Sequence, residues 1–321
     1  MASDTHSSQR WARGALLVGF VALAAAILAA HGSPPEAYEL SIYASTPLAF
    51  WLGTAAALVV AVFVGLRATG TPRRLGLLLG GGGMLAVASL PVLRSYYFFG
   101  AGDSLTHLGW AKDISSGELP VVDLLYPGTH SIAVLLADAT GMELARAMII
   151  MVMAFTATFL LFLPLATWAI TRDRRATALA ALSGLLFMPV NNVSVFDMPH
   201  PTRQAMMFLP LVLYLAARYL TRADRDEQSV GTPTGALLAV ASTAVVLVHP
   251  QQAANVLVVF VAIVGLQLVA RFVGSNETDH RTFAFQAVLL AVAFAAWTPR
   301  HERASGASSA LVNMLASGLQ L

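Results

Sequence analysis

A chain of 321 residues that is 57% hydrophobic and 11% charged, with a mean hydropathy of +0.70, lacks the polar surface of a soluble domain, where about a quarter of residues are charged. Its formal net charge of +2 comes from basic residues set in small groups between apolar runs, not along one face, which fits membrane topology and excludes nucleic acid as the partner. With no cysteine, disulfide frameworks, thiolate metal sites and cysteine nucleophiles are excluded as well.

A helix needs about 20 apolar residues to cross the hydrocarbon. Segments 14–30, 47–66, 75–93, 145–170, 177–190, 205–220, 234–249, 252–270 and 282–298 approach that length, so the sequence predicts an all-α polytopic integral membrane protein with about nine transmembrane helices. The first run has signal-peptide length, but Pro34, Pro35 and Glu36 follow it without a clear cleavage site, and it reads as a retained span. In the second stretch of small residues, "GLLLG" (76–80) running into "GGG" (81–83), no strand precedes and no P-loop lysine follows, which points to close helix packing instead of phosphate binding.

Positive charge sets the orientation. With a cytoplasmic N-terminus, 13 of the 19 basic residues fall on inner segments, among them Arg67, Arg73, Arg74, Arg172, Arg174, Arg175, Arg218 and Arg271. The long loop 94–130, the stretch 191–204 and the turn at "HPQQ" (249–252) then face outward, and six of the eight histidines, His31, His107, His130, His200, His249 and His301, lie outside or at the outer membrane edge. The expected divisions are N-terminal transmembrane helices over 1–93, an extracytoplasmic loop with an interfacial helix over 94–143, a transmembrane bundle over 144–299 and an outer segment over 300–321. That last segment ends without a polar tail, which reads as a fragment of a longer protein.

The outer loop opens "GAGDSLTHLGWAKDI" (100–114). Asp103 suits an N-cap, and Leu105, Leu108, Ala111 and Ile114 recur every three residues, so a short interfacial helix is expected. Asp103 and His107 are four residues apart and share a helix face. That spacing serves a metal site or an acid beside an orienting base; the plainer alternative is a capping aspartate and a histidine among headgroups. The later stretch "FDMPHPTRQ" (196–204) repeats the residue types in Asp197, His200 and Arg203, with Pro199 and Pro201 excluding a regular helix across it. Between them, "DLLYPGTH" (123–130) turns at Pro127 and Gly128 into an apolar stretch too short to span, bordered by Asp138 and Glu143.

An outward loop that opens with an aspartate soon after a span, continues through an interfacial helix and reaches a Tyr-Pro-x-x-His element resembles the GT-C superfamily of polytopic glycosyltransferases, especially archaeal-type members, over about residues 75–300. The resemblance implies sugar transfer from a polyprenyl-phosphate donor outside the cytoplasm, with Asp103 matching the loop aspartate at the reaction centre. The chain departs from better-known branches in having Ser104 after Asp103 and in lacking a Trp-Trp-Asp-type motif, which disfavours protein N-glycosylation and leaves the acceptor open. On this reading Asp103 is a general base or a metal ligand, with His107 beside it in the catalytic pair. His107, Asp197 and His200 are the further candidate ligands of a divalent metal ion, manganese or magnesium, with the two histidines shifting the choice toward manganese or zinc. Arg203 and Lys112 balance the donor phosphate, and His130 and His249 complete the substrate-binding set. The expected partners are membrane lipids and the lipid-linked donor. A multi-pass transporter or lipid flippase is the alternative, and it would place ionisable residues in mid-span. Segments 47–66, 145–170 and 252–270 are uncharged through their middles, which favours the enzyme.

Overall fold

The computed structural model describes residues 2–184, 198–222, 232–274 and 280–301, and every regular element among them is helical. In chain order these are α1 (Ala2–His31), α2 (Ile42–Ser45), α3 (Leu48–Arg67), α4 (Gly70–Ala88), α5 (Leu90–Leu93), α6 (Asp103–Ser116), α7 (Gly128–Thr140), α8 (Leu144–Thr171), α9 (Arg174–Ser183), α10 (Pro201–Arg222), α11 (Pro233–Val248), α12 (Pro250–Phe272) and α13 (His280–Trp297), with 3-10 turns at Val121–Asp123 and Thr298–Arg300. Among the described residues six helical stretches are long and apolar enough to cross a membrane: Arg10–His31, Leu48–Arg67, Leu144–Thr171, Pro201–Thr221, Pro250–Phe272 and Phe283–Arg300. The other three expected segments correspond to α4, whose glycines and arginines dilute its hydropathy, to α9, which the described residues follow only to Gly184, and to the 16-residue α11.

The chain divides into two compact units, 1–105 with 141–199, and 106–140 with 200–321. In the first, α3 packs antiparallel against both α1 and α4 through small residues. A Cβ on Gly53 would stand 2.6 Å from the Ala22 carbonyl oxygen, so only glycine lets α3 lie this close to α1. Gly76, Gly80 and Gly83 recur at helical spacing along α4 and receive Val64, Ala61 and Leu58 of α3, which makes the glycine run the close-packing stripe the sequence suggested. Leu16, Leu23, Phe50, Val64, Leu79 and Leu90 fill the core between these helices. The expected 75–93 span breaks at Ser89, because the Pro91 ring has no N–H to give and crowds the carbonyl four residues back.

The two ends of this unit differ in charge. At one, Arg94 is buried and paired: its Nη1 and Nη2 donate to Glu39 Oε2 and Oε1 at 2.6 Å each, and its Nε donates to the Ser33 carbonyl at 2.8 Å. The Tyr96 hydroxyl also donates to Glu39. The Arg94 guanidinium holds the Glu39 carboxyl below the usual carboxylate range, while burial and the same carboxylate push the Tyr96 hydroxyl up to about 12. At the other end, where α3 and α8 finish and α4 and α9 begin, lie Arg67, Arg73, Arg74, Arg172, Arg174 and Arg175.

In the second unit α10 to α13 form an up-and-down bundle around Val212, Leu215, Leu238, Val245, Phe260, Phe283 and Leu290. Gln286 Nε2, buried on α13, donates to the Gly235 carbonyl at 3.1 Å and fixes the register of α13 on the start of α11. The short α7 lays its N-terminus on the end of α11. A Cβ on Gly128 would stand 3.0 Å from the Leu247 carbonyl carbon and oxygen, so the glycine sets how closely the two approach.

Candidate functional site

The second unit gathers histidines at the end where α10 and α12 begin and α11 and α13 finish. Four separate segments deliver them. On α6 the buried face carries Ser104, His107, Leu108 and Ala111, so one of its members is an imidazole. His130 lies in the first turn of α7, positioned by the Pro127 turn and by the Gly128 approach to α11. His200 precedes Pro201, which opens α10 as helix-compatible proline does at a first position, and Gln204 Oε1 accepts the His200 backbone N–H at 2.8 Å. His249 is the extended residue between two helices: it caps the end of α11, donating its N–H to the Val245 carbonyl, and precedes Pro250 of α12.

The rings meet. His107 Nδ1 and His130 Nε2 are 3.1 Å apart in a buried hydrogen bond. The ring centroids of His107 and His200 are 6.0 Å apart, edge to face. Trp110 lies edge-on to His107 and His130 at 5.3 and 5.7 Å, and Tyr126 stacks on His249 at 5.7 Å with an interplanar angle of 25°. His249 Nε2 shares a 3.0 Å hydrogen bond with Thr202 Oγ1.

Burial dominates the electrostatics. It pushes the His107 imidazole down to about 3, with repulsion from His130 and then His200 adding to the shift. It pushes His130 down to about 4 against the opposing pull of the Tyr126 and Pro127 carbonyls. His249 is lowered by burial first and by His200 second. His107, His130 and His249 are therefore neutral near pH 7. In the His107–His130 bond one neutral ring donates and the other accepts, according to their tautomers.

Trp110 and Tyr126 also form one wall of a cavity of about 600 Å³, whose other polar lining is Asp123, Arg300 and His301. Trp297 Nε1 donates to the Leu125 carbonyl at 2.8 Å and its ring lies 5.3 Å from His301, so α13 ties down the 119–126 segment that makes the rim. Aromatic faces, a carboxylate and a guanidinium in a pocket of this size suit a sugar phosphate: rings cover the apolar face of a pyranose, a carboxylate accepts its hydroxyl protons, and a guanidinium takes the phosphate.

Of the residues singled out in the sequence, His107, His130, His200 and His249 stand together in this cluster, and Arg203 is buried in the first turn of α10, three residues after His200. Lys112 is exposed on α6. Asp103 is exposed on the first turn of α6. Asp197 lies outside the described residues. Among the described residues no three His, Asp or Glu side chains are placed to share one metal ion. Trp110, Asp123, Arg300 and His301 were not singled out as site residues; a tryptophan three residues after His107 on the buried side of a short helix was the available signal. The chain matches no family model, no curated protein and no solved structure.

Proposed function

We propose that this protein is a polytopic membrane glycosyltransferase of about nine spans that takes a sugar from a polyprenyl-phosphate donor at the extracytoplasmic face. The observation that carries the reading is the cavity of about 600 Å³ at the histidine end of the second unit, lined by Trp110 and Tyr126 together with Asp123, Arg300 and His301. A donor of this kind has a sugar and a phosphate in water and a chain in lipid. Such a cavity at the end of apolar helices receives the first two while the bilayer keeps the third.

In the transfer, the acceptor hydroxyl gives its proton to a carboxylate and its oxygen bonds to the anomeric carbon. The bond from that carbon to the phosphate oxygen breaks, and the lipid phosphate leaves with the electron pair. Arg300 neutralises the leaving phosphate. The resemblance points to Asp103 as the proton acceptor and the cavity lining points to Asp123. The neutral His107–His130 pair backs the Trp110 wall and keeps it free of fixed charge. A divalent ion belongs to the resemblance, and the described donors do not by themselves assemble a site for it.

What supports the proposed orientation is the arginines, which collect at the α3 and α8 ends in the first unit and, as Arg218 and Arg271, away from the histidines in the second. The test is reconstitution in proteoliposomes with radiolabelled polyprenyl-phosphate sugars. Label appearing in a glycoside, with free polyprenyl phosphate released, supports the reading. Donor moved across the bilayer with its glycosidic bond intact supports the transporter instead. Sidedness is read in the same vesicles from single cysteines at Ser116 and Thr171, since the chain has none of its own. Ser116→Cys is expected to react from the extracytoplasmic side and Thr171→Cys only after permeabilisation.

A further inference from the structure

The first unit holds a second cavity, of about 290 Å³, where α3 and α8 finish and α4 and α9 begin. Arg73, Arg74 and Arg174 line it together with Thr69, Thr177 and Trp168, and among the described residues no carboxylate does. Among the described residues the one hydrogen-bond partner of these three guanidiniums is the Arg174 carbonyl, which accepts from Arg73 Nη2. Asp173, the acid closest in sequence, is used elsewhere: its Oδ1 accepts the Arg175 N–H at 2.6 Å and caps α9.

The backbone adds to the positive charge. Thr69 precedes α4 without a side-chain capping bond, Gly70 turns the chain at φ +64, and Pro72 has no N–H, so the first turn of α4 opens into the cavity with its remaining amides uncapped. Three guanidiniums around an uncapped helix start form a receptor for a phosphate, which takes paired hydrogen bonds from arginine and the field of the helix terminus together.

The level of the cavity says which phosphate. The two candidate spans Leu48–Arg67 and Leu144–Thr171 end beside it, and Trp168, in the last turn of the second, is the aromatic residue expected at a headgroup boundary. Phe63 and Leu66 in the last turns of α3 and Leu75 and Leu78 in the first turns of α4 are exposed, and Leu77 of α4 lines the pocket.

We propose that this cavity binds the phosphate headgroup of an anionic phospholipid, with an acyl chain lying along the exposed leucines of α3 and α4. The proposal stands on the first unit alone and does not depend on glycosyl transfer.

The test is native mass spectrometry of the full chain in detergent, titrated with phosphatidylglycerol, with phosphatidylcholine and with inorganic phosphate. Wild type is expected to retain one phosphatidylglycerol in preference to phosphatidylcholine, and millimolar phosphate is expected not to displace it. The triple variant R73Q/R74Q/R174Q is expected to bind phosphatidylglycerol at least about tenfold more weakly, since each arginine near an anionic headgroup contributes a comparable share. Thr177→Asp puts a carboxylate into the pocket with all three arginines in place and is expected to give the same loss, which covers the case in which the triple variant fails to fold. Equal phosphatidylglycerol binding in wild type and Thr177→Asp would overturn the proposal. Displacement by inorganic phosphate would overturn the lipid as its source.

Discussion

Arg94 in the first unit and His107 in the second are both buried near helix ends, yet they are held in opposite ways. Arg94 keeps its charge because Glu39, Tyr96 and the Ser33 carbonyl surround it with acceptors. His107 gives up its charge because it is buried and its hydrogen bond goes to a second imidazole, with no carboxylate paired to it among the described residues. A fully paired ion network fixes loops in place and offers a ligand nothing. A neutral imidazole pair behind an aromatic wall leaves hydrogen-bonding capacity unspent beside a cavity, which is why the proposed sugar site is drawn at the Trp110–Tyr126 cavity and Arg94 is read as a structural clamp.

Breaking the clamp has the largest expected effect on stability. Glu39→Gln leaves the Arg94 guanidinium buried without its counterion, and a loss of about 3 kcal/mol is expected in chemical unfolding of the micellar protein. The wild-type contribution is present above the ordinary carboxylate range and is lost as pH falls through the depressed Glu39 value, so the variant also loses that acid limb. An unchanged midpoint would mean that the pair is solvated and the contrast with His107 is false.

The histidines titrate in a different window and with a different cause. Folded His107 and His130 refuse protons that the unfolded chain accepts below about pH 6.5. Stability is therefore flat above about pH 6.5 and falls as pH drops toward the folded values of about 4 and about 3. Unfolding midpoints at pH 7.5 and pH 5 isolate this effect from Glu39, whose limb lies lower. The double variant H107L/H130L is expected to show a clearly smaller fall between the two pH values than wild type; an equal fall would place the responsible protons elsewhere.

A smaller effect is expected at the glycine that sets the α7 approach. Gly128→Ala forces a shift of a few tenths of an ångström against the Leu247 carbonyl, which moves Tyr126 relative to His249 and costs about 1 kcal/mol. Gly81, whose added Cβ would meet nothing within 4 Å, is the control and is expected to tolerate alanine with no loss. A thermal shift in both variants or in neither would remove the special role of Gly128.

Much of this was legible from residue order. The apolar runs gave helices, the glycine stripe gave the α3–α4 contact, and Asp103 did begin a helix that runs to Ser116. The face of that helix was not legible. Leu105, Leu108, Ala111 and Ile114 step by three residues, which falls 60° short of a full turn each time, so the series drifts across the helix. Leu105 is 56% exposed, whereas His107, Leu108 and Ala111 are buried. Proline misled in the same local way: Pro199 and Pro201 pointed to a turn through Arg203, but Pro201 is the first residue of α10, where a missing N–H is harmless. The meeting of His107, His130, His200 and His249 depends on contacts between residues far apart in sequence, such as Tyr126 on His249, and periodicity within one segment carries no information about those.

The most direct test of sugar transfer at this site is the initial rate of glycoside formation from a polyprenyl-phosphate donor by wild type, Asp103→Asn and Asp123→Asn in the same proteoliposomes. Asparagine keeps the size of aspartate and its capacity to cap a helix, and removes only the charge that accepts a proton. The account predicts transfer by wild type and a loss of about 100-fold or more in one of the two variants, with normal insertion and unfolding midpoint in both. Wild-type rates in both variants, or no transfer from any such donor by the intact chain, would contradict it.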